Sequence, residues 1–211
     1  MDIFNFFKSK KKSMDSKIKI SVEEQLNTLI GLGIKPKYDD YVDWICDEWG
    51  RETVETDPYN LMLFSLGGER ETDDGETWEL LSDDIYSFDT ECVEDDNIYE
   101  VVLGRLATLS KGKFNISNLH STVDHDCKKA AVSFAYNSAD YKWDLKYDDD
   151  WFDCDTIGKI NLLLKNNGST KFFFTCSLDQ NLILVFDTEK NVKELNQLVT
   201  FPFILSFSET V

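Results

Sequence analysis

The residues best suited to chemistry in this 211-residue chain are carboxylates, and they come in clusters. The densest is Asp148-Asp149-Asp150-Trp151-Phe152-Asp153-Cys154-Asp155. Neighbouring carboxylates hold Ca²⁺ or Mg²⁺, or divide the work of acid and base between them. An EF-hand loop needs glycine at its sixth position and glutamate at its twelfth; counted from Asp148, those positions hold Asp153 and Lys159. That pattern is excluded. Three readings stay open: a metal-dependent hydrolase site, a helix-capping loop, or a partner-facing acidic knob centred on Trp151, since tryptophan is enriched at binding hot spots.

His120, Asp124, His125, Asp126 and Cys127 form a second group. If Val123 to Cys127 is a strand, His125 and Cys127 share one face and Asp124 and Asp126 the other. Two ligands on one strand need partners from elsewhere, and the chain has only two histidines. A cysteine nucleophile would need exposure and a lowered pKa. A strand edge or turn with a structural cysteine is the simpler account. The chain contains no G-x-G-x-x-G, no P-loop and no G-x-S-x-G. No motif identifies an enzyme, and none implies a cofactor.

Charge is the stronger signal. Asp39 to Asp96 holds 21 Asp and Glu against Arg51 and Arg70, while the whole chain nets −18. A disordered acidic segment is poor in aromatics. This one is threaded with Tyr41, Trp44, Trp49, Tyr59, Phe64, Trp78, Tyr86 and Phe88, so it is expected to fold and to present its carboxylates on a built surface. Such a surface repels nucleic acid and anionic lipid and attracts a basic protein. The tryptophans lack the basic neighbours that base stacking requires, and core packing is the better account for most of them. General acidity serving solubility is the plainer alternative, but solubility does not require concentrating the charge in one stretch.

The elements that must position these groups are read from local patterns. Residues 1–19 net +4, with Ile3, Phe4, Phe6 and Phe7 ahead of Lys8 and Lys10 to Lys12, and form a basic, flexible segment or a short interfacial helix. Ser21 and Glu24 make a capping box for a helix carrying Leu26, Leu29 and Ile30. A second helix is expected from about Asp40 to Trp49, stopped by Gly50. Its late carboxylates oppose the helix dipole, so tertiary packing must hold it. Leu61 to Leu66 fits strand or helix. A hairpin is expected around Asp74-Gly75, a strand at Ile85 to Phe88, and a helix capped by Asn97 and Glu100.

The second half changes character. It reads as strands at Phe114–Ile116, Ser121–Val123, Ala131–Tyr136 and Tyr141–Leu145, a helix capped by Asp155, strands at Phe172–Cys176 and Leu182–Phe186, a short helix near Glu189–Gln197 and an apolar end. The fold class is α+β, with helices mainly in the first half and an antiparallel sheet with packed helices in the second. Residues 20–211 are expected to form one such domain, with a subdivision near 112 left open. No apolar run reaches the roughly 18 residues of a membrane span, so no stable membrane insertion is expected. With no signal peptide visible, the five cysteines read as reduced thiols of a cytoplasmic protein.

An acidic α+β chain opening Phe4-Asn5-Phe6-Phe7-Lys8, with aromatic-studded carboxylate clusters, resembles the immunity proteins of bacterial polymorphic or contact-dependent toxin systems. The likeness is of general character over residues 21–200, and no functional residue is carried over one to one. It implies a non-enzymatic inhibitor that binds a cognate basic toxin domain, often a nuclease. The partner-binding residues expected from charge and aromatic content are Asp43, Asp47, Glu48, Asp73, Asp74, Asp83, Asp84, Asp148, Asp149 and Trp151. The alternatives are the metal-dependent hydrolase using Asp148 to Asp155 and a non-catalytic adaptor domain.

Overall fold

The structure, a computed structural model, describes residues 19–72, 75 and 77–209. The expectations for the basic N-terminal segment before Lys19, and for Asp73 and Asp74 at the hairpin tip, lie outside the described residues. The described chain forms seven helices and nine strands. Glu69–Glu71 pairs with Trp78–Leu80, Ile116–Asp124 with Lys129–Tyr136, the latter with Ala139–Leu145, and Phe172–Leu178 with Ile204–Leu205, all antiparallel, and the class is α+β. The described strands group into a two-stranded, a three-stranded and a four-stranded sheet.

The chain divides into two compact units. The first holds the described residues up to Phe88 with Cys176–Ile183 and Lys190–Phe203; the second holds Asp89–Thr175, Leu184–Glu189 and the chain from Ile204. The first division therefore falls at Phe88/Asp89, not near 112. The reason is local to the second unit. Its first helix is tied to residues later in the chain: Tyr99 Oη accepts the Asp153 N–H at 3.0 Å, and Glu100 Oε1 accepts the Ser121 N–H at 2.7 Å. The boundary also cuts the acidic stretch, so its last five carboxylates, Asp89 to Asp96, belong to the second unit.

In the first unit, α1 (Val22–Gly31) starts where Ser21 Oγ accepts the Glu24 N–H at 3.2 Å, as the capping box predicts. Its fully buried Gln25 donates to the carbonyls of Ile20 and Val54 and accepts the Tyr59 N–H. One amide thus holds α1 to α3 (Arg51–Thr56) and to the start of α4 (Asn60–Leu66). No local pattern announces α3. The Leu61–Leu66 run is α4: four of its residues, Leu61, Met62, Leu63 and Leu66, are buried all round the axis, which is why periodicity could not classify it. α2 (Tyr41–Trp49) ends at Gly50, whose φ of +79° only glycine adopts readily. β1 (Glu69–Glu71) and β2 (Trp78–Leu80) pair, followed by β3 (Ile85–Asp89).

In the second unit, α5 (Ile98–Leu109) lies against β4 (Ile116–Asp124), which pairs with β5 (Lys129–Tyr136) and through it β6 (Ala139–Leu145). β5 alternates cleanly, burying Val132, Phe134 and Tyr136. Asn137 and Ser138, both at positive φ (49° and 65°), make the tight turn into β6. Asn97 does not cap α5 with its side chain: its backbone lies in the helical region (φ −96°, ψ 0°) instead of the extended one an N-cap residue adopts, and the Glu100 carboxylate is engaged by Ser121.

α6 (Asp155–Asn166) carries the clamp of this unit. Its fully buried Asn161 donates to the carbonyls of Phe173 (2.8 Å) and Ser206 (3.0 Å) and accepts the Phe173 N–H (2.8 Å). This holds the start of β7 (Phe172–Leu178) and the segment after β9 (Ile204–Leu205). Between β7 and β9 the chain forms β8 (Asn181–Asp187) and α7 (Glu189–Leu195), the latter almost wholly in the first unit. Asn161→Ala leaves buried backbone groups without partners, at about 1–3 kcal/mol for an orphaned group. The expected outcome is a loss of about 2–4 kcal/mol, read as a lower urea midpoint with an unchanged slope.

Candidate functional site

The spacing of α2 sorts its side chains into three stripes. Tyr41 and Ile45 are buried. Asp40 (just before the helix), Trp44 and Glu48 recur every fourth residue and line an open cleft of about 690 Å³. Asp43 and Asp47 form a third stripe, exposed to solvent.

The β1–β2 ribbon contributes further lining. Its register sets Glu71 opposite Trp78 and Arg70 opposite Glu79. Directly opposed residues project to the same face, so the Glu71 and Trp78 side chains leave the ribbon side by side. That indole is 62% exposed, the most exposed large hydrophobic side chain described. Trp49 also lines the cleft; its ring meets Phe64 edge-on at 6.1 Å and its Nε1 donates to Ser65 Oγ at 3.0 Å. Close by, the Ser87 N–H donates to the Gly67 carbonyl at 2.7 Å, and a Cβ on Gly67 would stand 2.7 Å from that same nitrogen. Only glycine permits that approach.

Four lining carboxylates, Asp40, Glu48, Glu69 and Glu71, face one guanidinium, Arg70. Arg70 lies 3.4 Å over the Tyr38 ring and donates to both Asp40 oxygens, at 3.1 and 3.2 Å. The Tyr38 hydroxyl donates to Glu79, whose carboxylate pushes the phenol above its ordinary pKa. A concave wall of one charge sign concentrates its field and raises encounter rates with the opposite sign.

The expected contact residues fare unevenly. Glu48 lines the cleft, and Asp43 and Asp47 are exposed one stripe away; none of the three enters an ion pair among the described residues. Asp83 is paired with Lys37 at 2.8 Å. Asp84 is buried, and its Oδ2 accepts the Lys35 N–H at 3.2 Å, so it shapes a loop instead of facing a partner. Asp148 is paired with Lys146, Asp149 sits at a φ of +58°, and Trp151 is 40% exposed. Of the five tryptophans only Trp143 is buried, contrary to core packing for most.

The Asp148–Asp155 cluster divides its labour. Asp153 is buried and accepts the N–H groups of Lys146 (2.9 Å) and Asp155 (3.2 Å), so it does the capping expected of Asp155. Asp155 accepts the Ser208 hydroxyl instead. The loop is zipped to the chain after β3 by Phe152 N–H to Thr90 carbonyl (2.7 Å) and Val93 N–H to Asp150 carbonyl (2.8 Å). That leaves Trp151 outward, bridged to Glu91 and flanked by Asp148 and Asp149.

The histidine–cysteine group is dispersed. β4 ends at Asp124, and residues 125–128 are a turn, so the strand alternation expected through Cys127 does not hold. His120 meets Glu100 at 3.1 Å, while His125 meets the Tyr147 hydroxyl at 3.0 Å. No group of three or more His, Cys, Asp or Glu among the described residues is placed to hold a metal ion. All five cysteines are free thiols. Burial pushes Cys92 up to about 12 and Cys176 up to about 11.

Sequence reasoning missed Asp40, Trp44, Glu69, Glu71 and Trp78 as a set. The four-residue spacing of Asp40, Trp44 and Glu48 was available. The apposition of Glu71 and Trp78 was implied by the hairpin expected around Asp74-Gly75; that the ribbon and α2 line one cleft was not. No family model, curated protein or solved structure matches this chain.

Cys127 tests the nucleophile reading directly. Asp124 accepts from the Cys127 side chain and pushes the exposed thiol upward, so less thiolate exists at neutral pH. Alkylation of Cys127 by iodoacetamide at pH 8 is expected to be slow, and Asp124→Asn to accelerate it several-fold, as read by mass spectrometry.

Proposed function

We propose that this protein is a non-catalytic acidic binder that neutralises a basic partner protein, as the resemblance to toxin-immunity proteins implies. The observation that carries the reading is the cleft, where four carboxylates surround solvent-reachable indoles. Aromatic anchors within a charged rim are the anatomy of a binding hot spot. Carboxylates steer a cationic protein inward, and the indoles hold it by excluding water. Asp43 and Asp47 add to the steering, and Asp148, Asp149 and Trp151 offer a second, smaller contact of the same composition in the other unit. A nuclease suits such a partner, because a surface that binds phosphates is cationic. On this reading the protein works in the cytoplasm, where its target would act.

The hydrolase alternative is less favoured. Asp153 and Asp155 are occupied by backbone and hydroxyl donors, and Asp148 by Lys146. No described helix is long and apolar enough to cross a membrane.

The test is capture from source cells at low salt, followed by kinetics with the recovered protein. A basic protein whose activity falls on adding this chain is expected. Its association rate should drop by about tenfold or more as salt rises, and again in Asp43→Lys/Asp47→Lys, with the dissociation rate little changed. Recovery of only neutral or acidic partners would defeat the proposal.

A further inference from the structure

The cleft carries more information than its charge. It presents the same two-residue arrangement twice, a carboxylate beside an indole, built by two unrelated local rules. On α2 the pair is Trp44 and Glu48, four residues apart on one helix face. On the ribbon it is Glu71 and Trp78, opposed across β1–β2. Neither Glu48 nor Glu71 enters an ion pair among the described residues. A third version, made of Asp40 and Tyr38, is already filled: Arg70 lays its guanidinium 3.4 Å over the ring and donates to both carboxylate oxygens.

We infer that the cleft is an arginine-reading site, taking an arginine side chain of the basic partner between Trp44 and Trp78, with Glu48 and Glu71 receiving its N–H groups. The inference rests on the proposed binding of a basic protein and names the group that is bound. Charge complementarity selects a cation. The planar indoles select among cations: a guanidinium stacks on an aromatic face and forks onto a carboxylate, whereas an ammonium is a compact, strongly hydrated point charge. Arg70 shows both interactions made at once on the lining of the same cleft. A neutral ureido group of the same shape keeps the stacking and loses the charge, so it separates the two contributions.

The experiment uses the full chain and three short acetylated peptides identical except for two positions, which are arginine, lysine or citrulline. Binding is read by tryptophan fluorescence and calorimetry at low salt. The arginine peptide is expected to bind about tenfold more tightly than the lysine peptide and tighter still than the citrulline one. Trp78→Ala and Glu71→Gln alter exposed side chains, so the variants fold, and each should weaken the arginine peptide by about fivefold to thirtyfold. Equal affinity for arginine and lysine would overturn the inference. So would arginine binding that survives both variants but falls in Trp151→Ala, an outcome that leaves the basic-partner reading standing with the contact moved to the second unit. Failure of every cationic peptide to bind would remove both.

Discussion

The burial of Tyr41 and Ile45 on one face of α2 is the constraint on which the cleft depends. That helix carries Asp43 and Asp47 four residues apart, a like-charge spacing that costs about 0.2–0.5 kcal/mol, and further acid late in the helix where the dipole opposes it. Against this stand two fully buried side chains worth about 1.5–3 kcal/mol each. Packing wins by a clear margin. The Tyr41 hydroxyl donates to the Met62 carbonyl at 3.2 Å, and Trp49 donates to Ser65, so α2 is tied to α4 at both ends. The carboxylates are thereby held where solvent-exposed repulsion alone would disperse them.

Elsewhere the work is done by buried amides. Gln25 and Asn60 in the first unit and Asn161 in the second each join segments remote in sequence. Asn60 donates to and accepts from Thr200, 140 positions away. The half-buried Asn196 makes the same two-way bond locally, to the backbone of Phe203 seven residues on. A side-chain amide offers donor and acceptor together, so it satisfies a passing strand or loop without adding charge. In a chain that nets −18 this matters: long-range ties made of neutral groups do not add to self-repulsion.

Acidity in sequence and acidity on a surface proved to be different things. The stretch from Asp39 to Asp96 spends Asp84 on the Lys35 N–H, Asp83 on Lys37, Asp40 on Arg70 and Glu55 on Lys19 and Arg51. Its last carboxylates belong to the second unit. The set that gathers at the cleft is smaller, Asp40, Glu48, Glu69 and Glu71, chosen by helix phase and strand pairing instead of by density along the chain. The same sorting splits Asp148 to Asp155 into a buried cap at Asp153 and an outward knob at Trp151.

Local rules were therefore legible and partnerships were not. The Ser21 cap, the extent of α2 with its glycine stop and the strand at β5 all arise from residues a few positions apart, whose conformational preferences act before any tertiary contact forms. The α+β class comes from their order. The Asn97–Glu100 capping box did not form: Asn97 takes up helical backbone angles and the Glu100 carboxylate serves β4 instead, and the Leu61–Leu66 run was ambiguous because burial on every side erases periodicity. The cleft needed the tertiary structure for the same reason. Asp40, Trp44 and Glu48 share a face by helical geometry alone. Glu71 faces Trp78 in the register that a turn at Asp74-Gly75 implies, but that this ribbon and α2 line one cleft is decided only when the chain folds.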